Sequence, residues 1–382
     1  MLIVNAVIPQ RGAFVPGQRV RLWDGAVSAC APALSPEPGE AVLDLGGAFL
    51  LPGFVDAHIH GFGGHDAMRG EADVRAMSRD LYARGVAAFC PTTMSASPEE
   101  TRAALDGIRA VMTRPEPRGT RVLGAHMEAP FLNPARAGAQ QACFFRDPDW
   151  DFFLSLTGGH PEAVRCVTLA PERPGSAAFI RRARAAGIRI SLGHSDADAA
   201  CVHRAADEGA DRATHLFNAS SPFTHRAPGL PGAALADERI FCEMICDGVH
   251  LHPDTVRLIA RCKGPERAVA VTDAMEAAGL PDGRYALGGQ PVYVRGGEAR
   301  LSDGTLAGSV LTMAQALENL IHRFGVDPAA AAAMVTATPA ASLGVFPCGT
   351  FAPGSPAPLT RWTPDWRFAG IVTEDTPIHA ED

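Results

Sequence analysis

The chain has 382 residues, 34 Lys+Arg against 42 Asp+Glu, and a formal charge of −8. Hydrophobic residues make up 47% and charged ones 20%, which supports packed cores and excludes disorder, collagen and coiled coil. The length suits two or three domains, or one barrel with an accessory unit. No apolar run approaches the roughly 18 residues of a membrane span, and a mildly acidic chain without a basic block argues against nucleic acid as a partner.

The first fifty residues read as short strands, LIVNAVI, QRVRLW, GAVSAC and AVLDLGGAFLLPG, punctuated by Gly and Pro as in a small antiparallel sheet. The N-terminus lacks the basic and long apolar segments of a signal peptide. Nine cysteines scattered from Cys30 to Cys348 form no CxxC pair, so reduced cysteines and a cytoplasmic location are expected.

After Leu51 the pattern becomes apolar runs followed by Ala/Arg-rich helical stretches. The runs are GFVDAHIH (53–60), VAAFCPTT (86–93), VLGAHME (122–128), VRCVTLA (164–170), IRISLGH (188–194), RATHLF (212–217), FCEMICD (241–247) and RAVAVTD (267–273). Helices are expected over SPEETRAALDGIRAVMTR, with Ser97 or Thr101 as cap, and over SAAFIRRARAAG, DADAACVHRAADEG and PDTVRLIARCKG. Eightfold strand–helix alternation points to an α/β fold, a closed (β/α)8 TIM-type barrel. The lack of GxGxxG after the first strand removes the main support for a dinucleotide-binding sheet. A helix (LTMAQALENLIHRFG), an Ala-rich helix and a Pro/Gly-rich tail follow. The expected division is a barrel over 51–344 and a small β-sandwich domain built from 1–50 plus 345–382.

In such a barrel, active-site residues sit at the C-terminal ends of the strands. Strand one ends in Asp56-Ala-His58-Ile-His60, strand three in Glu128 and strand five in His194; strand six carries Thr214-His215, and strands seven and eight end in Asp247 and Asp273. Residues i and i+2 of a strand point the same way, so His58 and His60 can share one ion. Imidazole and carboxylate together suit a borderline divalent metal such as zinc. His126, two residues before Glu128, also faces the interior and reads as a supporting or core histidine. His65, His160, His203, His225, His252, His322 and His379 show no partner pattern. Cys242 and Cys246 share a strand face without a metal role.

PGFVDAHIHG resembles the first-strand signature of the amidohydrolase superfamily. HMEAPFLNP, LGHSDA, THLFNA, HRAPGLPGA, DGVHLHP, VTDAM and LAGS, in order from about Leu51 to Ser309, resemble the N-acetylglucosamine-6-phosphate deacetylase family within it; AxxLGV and GTFAPG resemble that family's return to its small β domain. The resemblance implies a hydrolase that removes acetate from an amino-sugar phosphate, with one or two divalent metals per subunit (Zn2+, or Fe2+, Co2+ or Mn2+) and a homodimer. Many binuclear superfamily members bridge their metals with a carbamylated lysine at the end of strand four. Lys263, the single lysine of this chain, lies late in a helix before strand eight, so the resemblance assigns the bridge to Glu128. His194, His215 and Glu128 would hold the essential ion, with His58 and His60 joining Glu128 around another.

A divalent ion lowers the pKa of its water from 15.7 to about 7, and Asp273 is suited to take the water's proton and deliver it to the departing amine. The resemblance puts Asn218, the Ala219 backbone, Arg226 and His250 around the sugar phosphate, Ala139 and Gln140 near the sugar, and Leu306, Ala307 and Gly308 at the acetamido end. The chain departs from the family pattern at Ala129, Ser220, Ala227 and Pro358. Three alternatives compete with deacetylation of the glucosamine derivative. One is the same reaction on another N-acetyl amino sugar, such as a galactosamine 6-phosphate. Another is a cyclic-amidine or nucleobase deaminase on this fold, disfavoured because THLFNASSP has no shuttle glutamate. The third is a non-catalytic binding barrel, which predicts an eroded ligand set.

Overall fold

The computed structural model describes residues 1–377; His379 and the end of the 345–382 segment lie outside that span. Eight parallel strands form the barrel: Phe54–Ile59, Val86–Thr93, Arg121–Val122 continued by Ala125–Met127, Val164–Leu169, Arg189–Leu192, Arg212–Ala213, Phe241–Ile245 and Ala268–Val271. They pair in chain order. The third is interrupted at Gly124, whose φ of 117° no β-branched or bulky residue would adopt without strain. Closure runs between strands eight and one, where the Asp273 amide donates to the His58 carbonyl at 2.9 Å and the His60 amide to the Ala274 carbonyl at 2.8 Å. Every residue of strands one, two, seven and eight is buried, because helices cover one face and the barrel interior the other.

The expected helices form. Pro98–Thr113 begins with Ser97, not Thr101, as cap: Ser97 Oγ accepts from the Glu100 amide at 3.2 Å and Glu100 Oε2 from the Ser97 amide at 3.0 Å. Such a reciprocal box satisfies two donors that the helix would otherwise leave open. Its inward face buries Thr101, Ala104, Leu105 and Ile108, the i, i+3, i+4, i+7 spacing of an amphipathic helix. Helix Pro253–Arg267 breaks at Gly264. Just before the break, buried Lys263 donates to the Ala234 and Asp237 carbonyls at 2.9 and 2.7 Å, so the lone lysine serves the end of helix Gly229–Ala236.

Both ends of the chain enter one seven-stranded sheet, in the order Phe368–Val372, Leu359–Trp362, Phe49–Leu51, Leu2–Gln10, Ala13–Trp23 and Ala26–Cys30, with Val42–Asp44 also on the first strand. Ile3, Ile8, Val20, Leu22, Leu50 and Leu359 form its core. Fully buried Trp362 packs edge-on against Phe54 of barrel strand one. The sequence reading missed one unit, an antiparallel sheet of Gly283–Leu287, Gln290–Arg295 and Glu298–Arg300 between barrel strand eight and helix Met313–Glu318.

Candidate metal centre

His58, His60, Glu128, His194, His215 and Asp273 converge at the C-terminal mouth of the barrel, all buried. His194 (φ 48°), His215 (φ 27°) and Asp273 (φ 48°) adopt left-handed backbone where their strands end. That geometry costs a non-glycine residue roughly 1–2 kcal/mol, and such strain concentrates where a side chain must be aimed. Gly308, φ 64°, lies against strand eight: a Cβ there would stand 3.0 Å from the Asp273 carbonyl oxygen. That same carbonyl accepts the Ser309 amide at 2.7 Å.

Two donor groups share Glu128. In one, Oε1 is 3.2 Å from His194 Nε2 and 3.0 Å from His215 Nε2, and the two nitrogens are 3.1 Å apart. In the other, His58 Nε2 and His60 Nε2 lie 3.4 Å apart and 3.4 and 3.1 Å from Asp273 Oδ1, with Glu128 Oε2 3.4 Å from His60. Three of the rings have Nδ1 against an acceptor: His194 against the Arg136 carbonyl at 2.9 Å, His60 against the Thr92 carbonyl at 3.2 Å and His58 against Glu243 Oε2 at 3.0 Å. With Nδ1 donating, a neutral ring turns the Nε2 lone pair toward carboxylate oxygens, an arrangement that requires a cation. Asp273 Oδ1, buried, has no hydrogen-bond donor. The residues therefore fit a divalent metal.

The surrounding carboxylates favour positive charge at this point, supplied by a proton when no ion is bound. Burial opposes charge on His58, yet Asp273, Glu128 and Glu243 raise its pKa to about 10. Burial likewise opposes ionisation of Glu128 and Asp273, but the surrounding imidazoles, His58 first, hold Glu128 well below the usual carboxylate range and Asp273 at about 2. His126 is driven down to about 3 by burial and then by His58; it stays neutral, with Nε2 2.7 Å from Thr168 Oγ1.

A cavity of about 390 Å³ opens over these groups, lined by His60, Glu128, His194, His215, Asp273, Ala139, Gln140, Asn218, Ala219, His250, Leu306 and Gly308 among others. A larger open groove beside the terminal sheet contains no such cluster. Gln140 is tied to the centre, donating to Glu128 Oε2 at 2.6 Å while its Oε1 accepts the Ser95 amide at 2.7 Å. Ala307 is fully buried behind the lining. Arg226 is exposed on the 222–227 segment and does not line the cavity. Asp247 is not among the metal-facing groups: its Oδ2 is 2.7 Å from His250 Nδ1 and its Oδ1 accepts the Val249 and His250 amides, so it orients His250. Sequence reasoning missed Arg300 and Leu287, which the three-stranded sheet brings to the cavity, and the buried Glu243 and Arg212 beneath the histidines.

A barrel with paired imidazole and carboxylate donors at its C-terminal mouth defines a metal-dependent hydrolase, and residues 49–373 match the amidohydrolase family. The chain belongs to that family. It is 38% identical over 365 residues to an N-acetylgalactosamine-6-phosphate deacetylase of Escherichia coli O157:H7, covering 95% of this chain and 92% of that protein. It is 36% identical over 350 residues to an N-acetylglucosamine-6-phosphate deacetylase of Bacillus subtilis (strain 168), covering 91% and 88%. Among solved structures, the N-acetylglucosamine-6-phosphate deacetylase of Pasteurella multocida superposes with a TM-score of 0.90 at 30% identity over 98% of both chains. A mutant of the Mycobacterium smegmatis enzyme in complex with N-acetyl-D-glucosamine-6-phosphate gives 0.88 at 32%, again over 98% of both.

Proposed function

We propose that this chain hydrolyses the acetamide of N-acetyl-D-glucosamine 6-phosphate, giving glucosamine 6-phosphate and acetate. The observation that carries the reading is the shared Glu128, one oxygen facing His194 and His215 and the other facing His60, beneath a cavity of sugar-phosphate size. Glu128, His194 and His215 would hold one divalent ion, and His58 and His60, with Asp273 and the second oxygen of Glu128, another. Imidazole with carboxylate favours Zn2+, with Fe2+, Co2+ and Mn2+ the next candidates. When bound, such an ion brings its water to a pKa of about 7 and polarises a carbonyl. Asp273 Oδ1 then takes the attacking water's proton and passes it to the amide nitrogen. The water oxygen forms the new C–O bond, the C–N bond breaks, and the products are acetate and a free amine. Gln140 and the Ser95 amide keep Glu128 in place. Asn218, the Ala219 backbone and His250, the last held by Asp247, face the sugar phosphate, and Leu306 with Gly308 face the acetamido group.

We take the protein to be a homodimer, in which a second subunit covers the 222–227 segment and brings Arg226 and half-exposed Phe223 into use. All nine cysteines are unpaired, which supports a cytoplasmic setting; no helix of the described residues is long and apolar enough to cross a membrane. The Escherichia coli relative favours a second reading, the galactosamine epimer as substrate. The deciding assay measures acetate release from both 6-phosphates and from unphosphorylated N-acetylglucosamine, using chelated enzyme reloaded with zinc or iron. Metal-dependent release that requires phosphate is expected. Equal rates with and without phosphate would refute the substrate assignment, and no acetate with any metal would refute the reaction.

A further inference from the structure

Barrel strand seven, Phe241–Ile245, carries one charged residue, Glu243, and its side chain is fully buried. Glu243 Oε2 accepts from His58 Nδ1 at 3.0 Å and from the His215 amide at 3.1 Å. Oε1 accepts from Arg212 Nη2 at 2.5 Å. Arg212 is itself fully buried and donates to Ser342 Oγ. A buried Glu–Arg pair is weak evidence for stability, because apolar residues of similar volume commonly serve as well or better. Here one carboxylate oxygen is bound to the guanidinium and the other to a ring whose far nitrogen faces the metal centre.

The four imidazoles of the centre differ on the side away from it. Backbone carbonyls hold His60 and His194, and His215 Nδ1 has no partner. Only His58 has a carboxylate. A charge-assisted bond is shorter and stronger than a neutral one, and a carboxylate behind a ligating histidine fixes its tautomer and raises its basicity. We infer that Glu243 is a positioning residue that acts through His58: it holds the Nδ1–H tautomer, aims Nε2 at the group shared with His60 and Asp273, and thereby sets whether this chain retains a second divalent ion. Arg212 fixes Glu243 from behind. This inference rests on the metal-centre reading above.

The test is metal binding, measured as zinc content by mass spectrometry at buffered free Zn2+ and as the visible absorption of Co2+-loaded protein. Wild type binds two ions. Glu243→Gln keeps one at wild-type affinity and binds the other about 10- to 100-fold more weakly, with loss of the matching part of the Co2+ spectrum. In a His58→Asn background the same substitution changes nothing further, as expected when both residues act as one unit. Because Glu243→Gln leaves Arg212 without its charge partner, the pair Arg212→Met/Glu243→Gln is measured beside it, with circular dichroism of the chelated proteins as the check on folding; it loses the same ion. Two ions at unchanged affinity in both variants, or equal weakening of both ions, overturns the inference. Wild type holding a single ion overturns it while leaving the metal-centre reading intact; wild type holding none overturns both.

Discussion

Asp273→Asn is the most informative single substitution, because it removes the proton acceptor while leaving the Glu128, His194 and His215 group whole. Asn keeps the shape of Asp and is among the residues that tolerate left-handed backbone, which position 273 requires at φ 48°. The bonds position 273 makes to its neighbours are backbone bonds, from its amide to the His58 carbonyl across the barrel seam and from the Ser309 amide to its carbonyl, and they survive the change. The ion group formed by Glu128, His194 and His215 does not include Asp273. What is lost is a buried, ionised oxygen 3.1 Å from His60 Nε2 that can accept and return a proton. Positioned general acid–base catalysis contributes ~10²- to 10⁴-fold, or about 3 to 5 kcal/mol at about 1.4 kcal/mol per factor of ten. A coupled acetate assay should therefore show kcat reduced by ~10²- to 10⁴-fold, KM nearly unchanged, and at least one zinc per chain still bound. A kcat within tenfold of wild type, with metal retained, would refute the proton-transfer role. Loss of all zinc would make Asp273 an indispensable ligand.

Chelation should abolish acetate release and lower the thermal midpoint; reloading with zinc at 100 times its Kd should restore about 2.7 kcal/mol of stability, whereas full activity in the chelated enzyme would exclude a metal role. Gly308→Ala forces an alanine to φ 64° with its Cβ 3.0 Å from the Asp273 carbonyl, so urea unfolding should show a loss of at least about 1–2 kcal/mol; an unchanged midpoint would mean the loop adjusts freely. Arg226→Ala should raise KM about tenfold or more for a 6-phosphate substrate, the loss of one charge-assisted contact of about 1.5–3 kcal/mol, and leave hydrolysis of the unphosphorylated sugar alone. His250→Gln should show the same substrate-selective pattern, and a uniform effect on both substrates would remove the phosphate from that end of the cavity.

The barrel was legible in the sequence because its strands are buried on both faces and so read as continuous apolar runs, six of the eight ending in a polar residue. All eight runs contain a strand. The three-stranded sheet was not picked out, although Gly288-Gly289 and Gly296-Gly297 are the dipeptides that two-residue hairpins favour. Its strands are short and mostly exposed on one side, so they lack the apolar density that marked the others. That omission also hid Arg300 and Leu287 from the cavity list.

The site was legible to the depth of its metal-facing ring and no further. HxH on one strand, Glu128 and the histidines at the ends of strands five and six announce themselves by chemistry and position. What stands behind them does not. Glu243 lies between Cys242 and Met244 in an apolar run whose cysteine spacing drew the attention, and Arg212 opens a strand two residues long; only the fold brings residues 58, 212 and 243 together. The sequence marks Asp247 only as the end of strand seven, with no role. The turn after strand seven places His250 three residues on, where its Nδ1 meets the carboxylate. A carboxylate's role therefore depends on which imidazole nitrogen reaches it: Asp247 and Glu243 meet Nδ1 and position a ring, whereas Glu128 and Asp273 meet Nε2 and face the ion. That distinction is a matter of ring orientation, which residue type and spacing do not encode.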